Sequence, residues 1–184
     1  MHSLLALSRL IDGITARIGR SASWIVLIVV LISAGNAVIR KLFNVSSNAF
    51  LEIQWYLFSA MFLLAAAYTL QRNEHIRIDL LAGRLSKRGQ AVLDIVCTVL
   101  FLLPMTSIIA WYGWPIFIDA LRSGEMSSDP GGLIRWPVLM LIPIGFTLLL
   151  LQGVSEIIKR VAFLQGLAPD PAEKTLDPHK EEHV

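Results

Sequence analysis

Charge is scarce in this sequence. Asp, Glu, Lys and Arg make up 16% of its 184 residues, where an ordinary globular chain carries about 25%. The charge present nearly cancels, sixteen basic residues against fourteen acidic, net +2. That leaves no basic surface for a nucleic acid. The single cysteine, Cys97, excludes an internal disulfide and any multi-cysteine zinc site. No P-loop, H-E-x-x-H or G-x-S-x-G motif is found, so no enzyme class is indicated. Apolar side chains are what is abundant, at 55% of residues and a mean hydropathy of +0.63.

They are gathered into four stretches that contain no Asp, Glu, Lys or Arg: 21–39, 53–71, 95–118 and 136–155. Each has 19 to 24 residues, and a hydrocarbon core of about 30 Å needs about 20 in a helix. Lipid offers backbone groups no water, so each stretch must close its hydrogen bonds as a helix. A soluble bundle would need shorter apolar runs and polar stripes. The predicted fold class is an all-α integral membrane protein with four transmembrane helices.

Basic residues set the expected orientation. Twelve of the sixteen lie in the segment before the first span, the 72–94 loop and the tail after the fourth; the 40–52 and 119–135 loops share four. Both termini are thus expected in the cytoplasm. Trp24 would anchor near the inner face, and Trp55, Trp111, Trp114 and Trp136 near the outer one.

The first twenty residues place Leu7, Leu10, Ile11, Ile14 and Ile18 at helical spacing, with Arg9, Asp12 and Arg17 elsewhere on the wheel. This pattern suits an amphipathic helix in the interface plane, over residues 1–20. A signal peptide is the competing reading, although the charged lead is long and no clear small-x-small site follows. The four-helix domain then covers 21–165. The Pro-, Glu- and Lys-rich tail 166–184 is expected to be disordered.

No Asp, Glu, Lys, Arg or His lies within any span, which argues against a self-sufficient proton-coupled pump. Nor do the spans hold paired histidines to ligate haem. Polar residues gather at their ends instead. Glu52-Ile-Gln-Trp-Tyr56 opens the second span, and Asn73-Glu-His-Ile-Arg-Ile-Asp79 follows it. Glu52 is a candidate cross-subunit pair or a snorkelling boundary carboxylate, and Trp55 and Asn73 are further interface candidates. His75, Arg77 and Asp79 are placed to form a small polar cluster for a partner, or a solvated juxtamembrane face. With one histidine the spacing is not a metal pattern.

A second group surrounds the fourth span. Asp129-Pro-Gly-Gly-Leu-Ile-Arg-Trp-Pro137 predicts a tight turn at the outer end. Pro143 must loosen the helix locally. Gln152, followed by Glu156, is a lone amide near the inner end that seeks a partner across a helix interface or a headgroup water. Cys97 reads as a small core residue. Arg122, Glu125, Asp129 and Arg135 are charges of the outer loop 119–135 around the Pro-Gly-Gly turn.

Taken in order, these motifs resemble the small permease subunit of a tripartite ATP-independent periplasmic (TRAP) transporter. The likeness rests on Glu52 and Trp55 at a span entry, the Asn-x-His-Ile-Arg-Ile-Asp loop at 73–79, and the Pro-Gly-Gly-Leu turn. Ile-Pro-Ile-Gly-Phe and Leu-Leu-Gln-Gly-x-Ser-Glu complete it. It covers roughly residues 8–165. The resemblance implies a secondary uptake system for organic acids, with a soluble periplasmic substrate-binding protein and a large multi-span permease. The permease would carry the sodium and substrate sites and move like an elevator. The small subunit would sit in the bacterial inner membrane, pack on the permease's fixed scaffold and help dock the binding protein, with no cofactor and no reaction of its own. Arg122, Glu125, Asp129 and Arg135 would be the candidate docking charges, or simply the loop's solvated face. Two other classes remain open on the sequence: a self-contained homo-oligomeric transporter, and a non-transport membrane anchor or assembly subunit.

Overall fold

A computed structural model describes residues 2–44, 47–73 and 85–171. Their regular structure is helical, apart from one isolated antiparallel bridge between Met126 and Ile134. The helices are α1 His2–Phe43, α2 Asn48–Arg72, α3 Lys87–Ser123 and α4 Trp136–Leu164. All four are long and apolar enough to cross a membrane. They alternate in direction, so α1 begins, and α4 ends, at the terminal end of the domain. The opposite end carries the connection between α3 and α4 and is called the loop end below.

Residues 2–20 are helical, but they do not form a separate element. They run without a break into the first span, giving a helix of 42 residues, about 63 Å long at 1.5 Å per residue. Nothing in 2–43 forces a break, for the segment has no proline. Ser8, Ile11, Thr15, Gly19 and Ala22 are all buried, at spacings of three and four that make one stripe across the boundary at residue 20. Leu7, Leu10 and Ile14 face outward. Of the tail, 166–171 belong to the described residues and 172–184 lie outside them.

α4 is the centre of the arrangement. It packs against each of the other three helices, α1 and α2 pair with one another, and α3 packs chiefly on α4. A third of the apolar window of α4 is buried, 33%, against 6–11% in the other three. The surface left outside is greasy, with Trp111 76% and Phe101 70% exposed. Apolar surface this extensive has no place in water. The interior is the reverse: Ser8, Thr15, Thr106, Gln152, Ser155 and Ala162 are among its most buried side chains. Lipid tails are as apolar as leucine, so helices in a bilayer associate through small residues and hydrogen bonds. This inversion is the physical signature of a membrane domain.

Close approach accounts for two glycines. A Cβ on Gly19 would lie 2.3 Å from Tyr68 Cβ, and one on Gly145 would lie 2.9 Å from Leu63 Cβ. Gly19→Val should therefore force α1 away from α2. We expect a loss of about 1–3 kcal/mol, the usual cost of overpacking, read as a lower midpoint of thermal unfolding in detergent; an unchanged midpoint would refute the contact.

α3 holds one irregularity. Thr98–Leu102 form a π turn, in which the Leu103 N–H reaches the carbonyl of Thr98. Pro104 follows directly, and its missing N–H leaves the normal helical ladder incomplete there. Cys97 precedes the turn and is exposed, not in the core as expected, at the edge of a surface groove between α3 and Leu149 of α4.

Candidate functional site

Polar side chains collect at both ends of the domain, and each collection is built by residues on successive turns of one helix. At the loop end the builder is α2. Asn48, Glu52 and Tyr56 recur every four residues, which aligns them on one helix face. That face meets the connection 124–135, which is itself folded. Arg135 N–H donates to Glu125 O at 2.9 Å and Ser127 N–H to Leu133 O at 2.9 Å, making a short antiparallel ladder. Its tip is Asp129-Pro130-Gly131-Gly132, closed by Gly132 N–H to Asp129 O at 3.0 Å. Gly131 has φ 73°, and with proline before it this is the pattern of a type II turn. The tight turn expected from the sequence is present.

The three α2 side chains hold the hairpin at separate points. Asn48 Nδ2 donates to Pro130 O at 3.0 Å, and the Tyr56 hydroxyl donates to Ile134 O at 3.2 Å. Between them Glu52, only 3% exposed, accepts a hydrogen bond from the Ser127 hydroxyl on one oxygen. Its other oxygen accepts from the Leu133 N–H at 2.5 Å. Gly132 leaves room for this, since a Cβ there would lie 2.7 Å from Glu52 Oε1. Both oxygens of Glu52 are thus engaged within its own chain. Across the base of the hairpin, Arg135 Nη1 meets Glu125 Oε1 at 2.5 Å, and both side chains remain nearly half exposed. Arg122 and Asp129 are exposed beside them.

At the terminal end the builder is α4. Gln152, Ser155, Glu156, Lys159 and Arg160 follow the i, i+3, i+4, i+7, i+8 pattern of a single face. Gln152 is fully buried. Its Nε2 donates to Asp12 Oδ1 of α1 at 2.9 Å and to Glu156 Oε1 at 3.0 Å. The Ser155 hydroxyl donates to Asp12 Oδ1 at 2.8 Å and lies 2.7 Å from the Ser8 hydroxyl. Lys159 pairs with Asp12 at 3.2 Å and with Glu156. Arg160 bridges Glu156 and, at 2.9 Å, Asp94 of α3. Gln71 of α2 joins by donating to the Asp12 carbonyl at 3.0 Å. One cluster therefore ties all four helices together at the terminal ends of the apolar spans. Gln152 does find its partner across a helix interface, but that helix is α1 of the same chain.

Trp55 points outward and stacks edge-on with Tyr56 at 4.4 Å. Asn73 terminates α2 in the left-handed conformation, φ 58°, its N–H capping Leu70 O, a role asparagine takes when glycine is absent. His75, Arg77 and Asp79 lie outside the described residues. The sequence reading overlooked Asn48, Tyr56 and Ser127 at one end and Asp12, Asp94, Lys159 and Arg160 at the other. These clusters fix helices and a loop in place.

Residues 25–163, which include all four spans from near the first one's start, match the family described as Tripartite ATP-independent periplasmic transporters, DctQ component. The chain belongs to this family. It is the small membrane subunit of a TRAP transporter, a multi-pass component of a transport complex. No curated protein and no solved structure matches it. Both ends of this DctQ component's polar architecture lie within the matched region, except for Ser8 and Asp12 of α1.

Proposed function

We propose that this subunit is the fixed membrane body on which the large multi-span permease of the transporter rests, and that its 124–135 hairpin helps dock the soluble substrate-binding protein. The observation that carries this reading is the hairpin itself. A loop held by three side chains of one helix, including a buried carboxylate, loses little conformational freedom when a partner lands on it. Its outward charges, Arg122, Glu125, Asp129 and Arg135, supply polar complementarity at the rim of such a contact.

The distribution of basic residues puts both termini in the cytoplasm and the hairpin in the periplasm, with the protein in the inner membrane. The transported solute is then an organic acid, taken up with sodium, and both sites belong to the permease. This chain has no cofactor of its own and catalyses no reaction.

Purification of the tagged subunit from native membranes in mild detergent tests the scaffold role. One large permease should come with it in equal amount, and recovery of the chain alone would overturn the reading. Docking is tested by Arg135→Glu, which places a second carboxylate beside Glu125. Uptake should fall roughly tenfold, in keeping with the coupling energies of close interfacial charges, while the subunit remains in the membrane with its permease. Unchanged uptake would remove Arg135 from the docking surface.

A further inference from the structure

The cluster built on α4 does not consume every cation at the terminal end. Beside it a pocket of about 510 Å³ opens where α1, α2 and α4 meet. Its walls carry Arg20 of α1, Arg72 of α2 and Lys159 of α4, against a single carboxylate, Asp12. That carboxylate does not neutralise the arginines, for it already accepts from Gln152, Ser155 and Lys159. Arg20 uses only its Nε, which donates to the Ala16 carbonyl at 3.1 Å. Its two terminal nitrogens reach no acceptor among the described residues, and the side chain is exposed. Arg72 stands over the Tyr68 ring, 5.7 Å from its centroid, which holds a second guanidinium on the pocket wall.

Positive charge with N–H donors to spare calls for an anion, and the level of the pocket says which kind. Arg20 is the last charge before the charge-free run 21–39, and Arg72 is the first after 53–71. Two helices thus independently place a guanidinium at the edge of the hydrocarbon, both in the wall of one pocket. Trp24, one turn further along α1 and 71% exposed, marks the same edge, since tryptophan collects at headgroup level. Lipid phosphates lie there, and basic pockets between membrane helices hold anionic headgroups. A zwitterionic headgroup would bring its ammonium into the same positive field, so the lipid that fits carries net negative charge.

We infer that this pocket binds the phosphate of one anionic phospholipid in the leaflet at the terminal end. The phosphate oxygens accept from the Arg20 guanidinium, Arg72 and Lys159 supply the surrounding charge, and the acyl chains remain in the bilayer. The site follows from the membrane-spanning fold and needs neither the docking role nor the permease contact proposed above.

The test titrates the full-length subunit, purified in a neutral detergent, with phosphatidylglycerol and separately with phosphatidylethanolamine, and counts bound lipid by native mass spectrometry. One phosphatidylglycerol should be retained, roughly tenfold more tightly than phosphatidylethanolamine. Arg20→Gln should weaken that binding roughly ten- to a hundredfold, as the loss of charge-assisted hydrogen bonds implies, without lowering the unfolding midpoint of the lipid-free protein. Arg40→Gln is the comparison: it removes the boundary arginine at the other end of the first span and should leave binding unchanged. Ala16→Glu keeps Arg20 but sets a carboxylate one turn away, where it takes the guanidinium for itself. It should also abolish retention, and it decides the matter if Arg20→Gln fails to fold. Equal losses in Arg20→Gln and Arg40→Gln, or equal retention of the two lipids, would mean unspecific attraction and overturn the site. Displacement of the lipid by inorganic phosphate would overturn it as well, by assigning the pocket to a soluble anion. The complex with its permease gives a last check: retention of the lipid there supports the site, and its exclusion would assign the pocket to an acidic protein surface.

Discussion

Arg160→Met should be the most damaging single change in the terminal half of the domain, costing about 3–5 kcal/mol. That is the cost of removing one partner from a buried ion pair and stranding the other. Arg160 and Glu156 are both nearly buried, and Arg160 also holds Asp94 on α3. Its loss takes from Glu156 and Asp94 the guanidinium they share, while Lys159 is already divided between Glu156 and Asp12. Thermal unfolding of the purified subunit in detergent reads the effect. The double variant Arg160→Met with Glu156→Gln should recover part of the loss, because neutralising the stranded carboxylate removes its desolvation cost. A single variant within about 1 kcal/mol of the native protein would mean that headgroup water reaches the cluster freely.

The second large effect is expected at the other end. Glu52→Ala leaves the Leu133 N–H and the Ser127 hydroxyl without their acceptor, at about 1–3 kcal/mol for each unsatisfied group. The hairpin should open locally without the helices separating. Hydrogen exchange resolves that distinction. Exchange at Leu133 should accelerate by roughly 30- to 1000-fold, as an opening free energy lowered by a few kcal/mol requires, while amides in the middle of α4 stay protected. Glu52→Gln should fall between, since its one amide oxygen can still accept from one of the two donors. On the docking proposal, uptake declines in the same order, Ala below Gln below native, with the permease still bound. Leu133 exchange at the native rate in Glu52→Ala would show that the carboxylate does not hold the loop.

The four spans were legible because lipid imposes a requirement on every residue of a crossing helix, and an uninterrupted apolar run meets few competing explanations. The turn at 129–132 was legible for a local reason: proline followed by glycine specifies φ at two consecutive positions. The pairings were not. Glu52 and Gln152 stood out as polar residues at span ends, but their partners, Ser127, Leu133 and Asp12, are 75, 81 and 140 residues away in the chain. Single-sequence periodicity says which face a residue occupies and nothing about what that face meets. A signal was nevertheless available. Asn48, Glu52 and Tyr56 share one face of α2, and Gln152 through Arg160 share one face of α4. A polar stripe at the end of an apolar helix implies an inward contact, which would have favoured internal partners over a second subunit. The unbroken α1 was hidden by its apolar residues, which drew attention outward from the small-residue stripe Ser8, Thr15, Gly19 and Ala22 that continues past residue 20.

The central position of α4 also dictates the order in which the domain can be completed during synthesis. α1 and α2 emerge first and can pair as a hairpin while the chain is still growing. α3 then enters the bilayer with its main packing partner not yet made, and Arg160, which pairs with its Asp94, arrives only with the end of α4. Until that helix is inserted, Arg160 cannot bridge to Asp94. A ribosome that stalls between residues 135 and 160 leaves three inserted helices and no bundle, a state that membrane quality control would meet as unassembled protein.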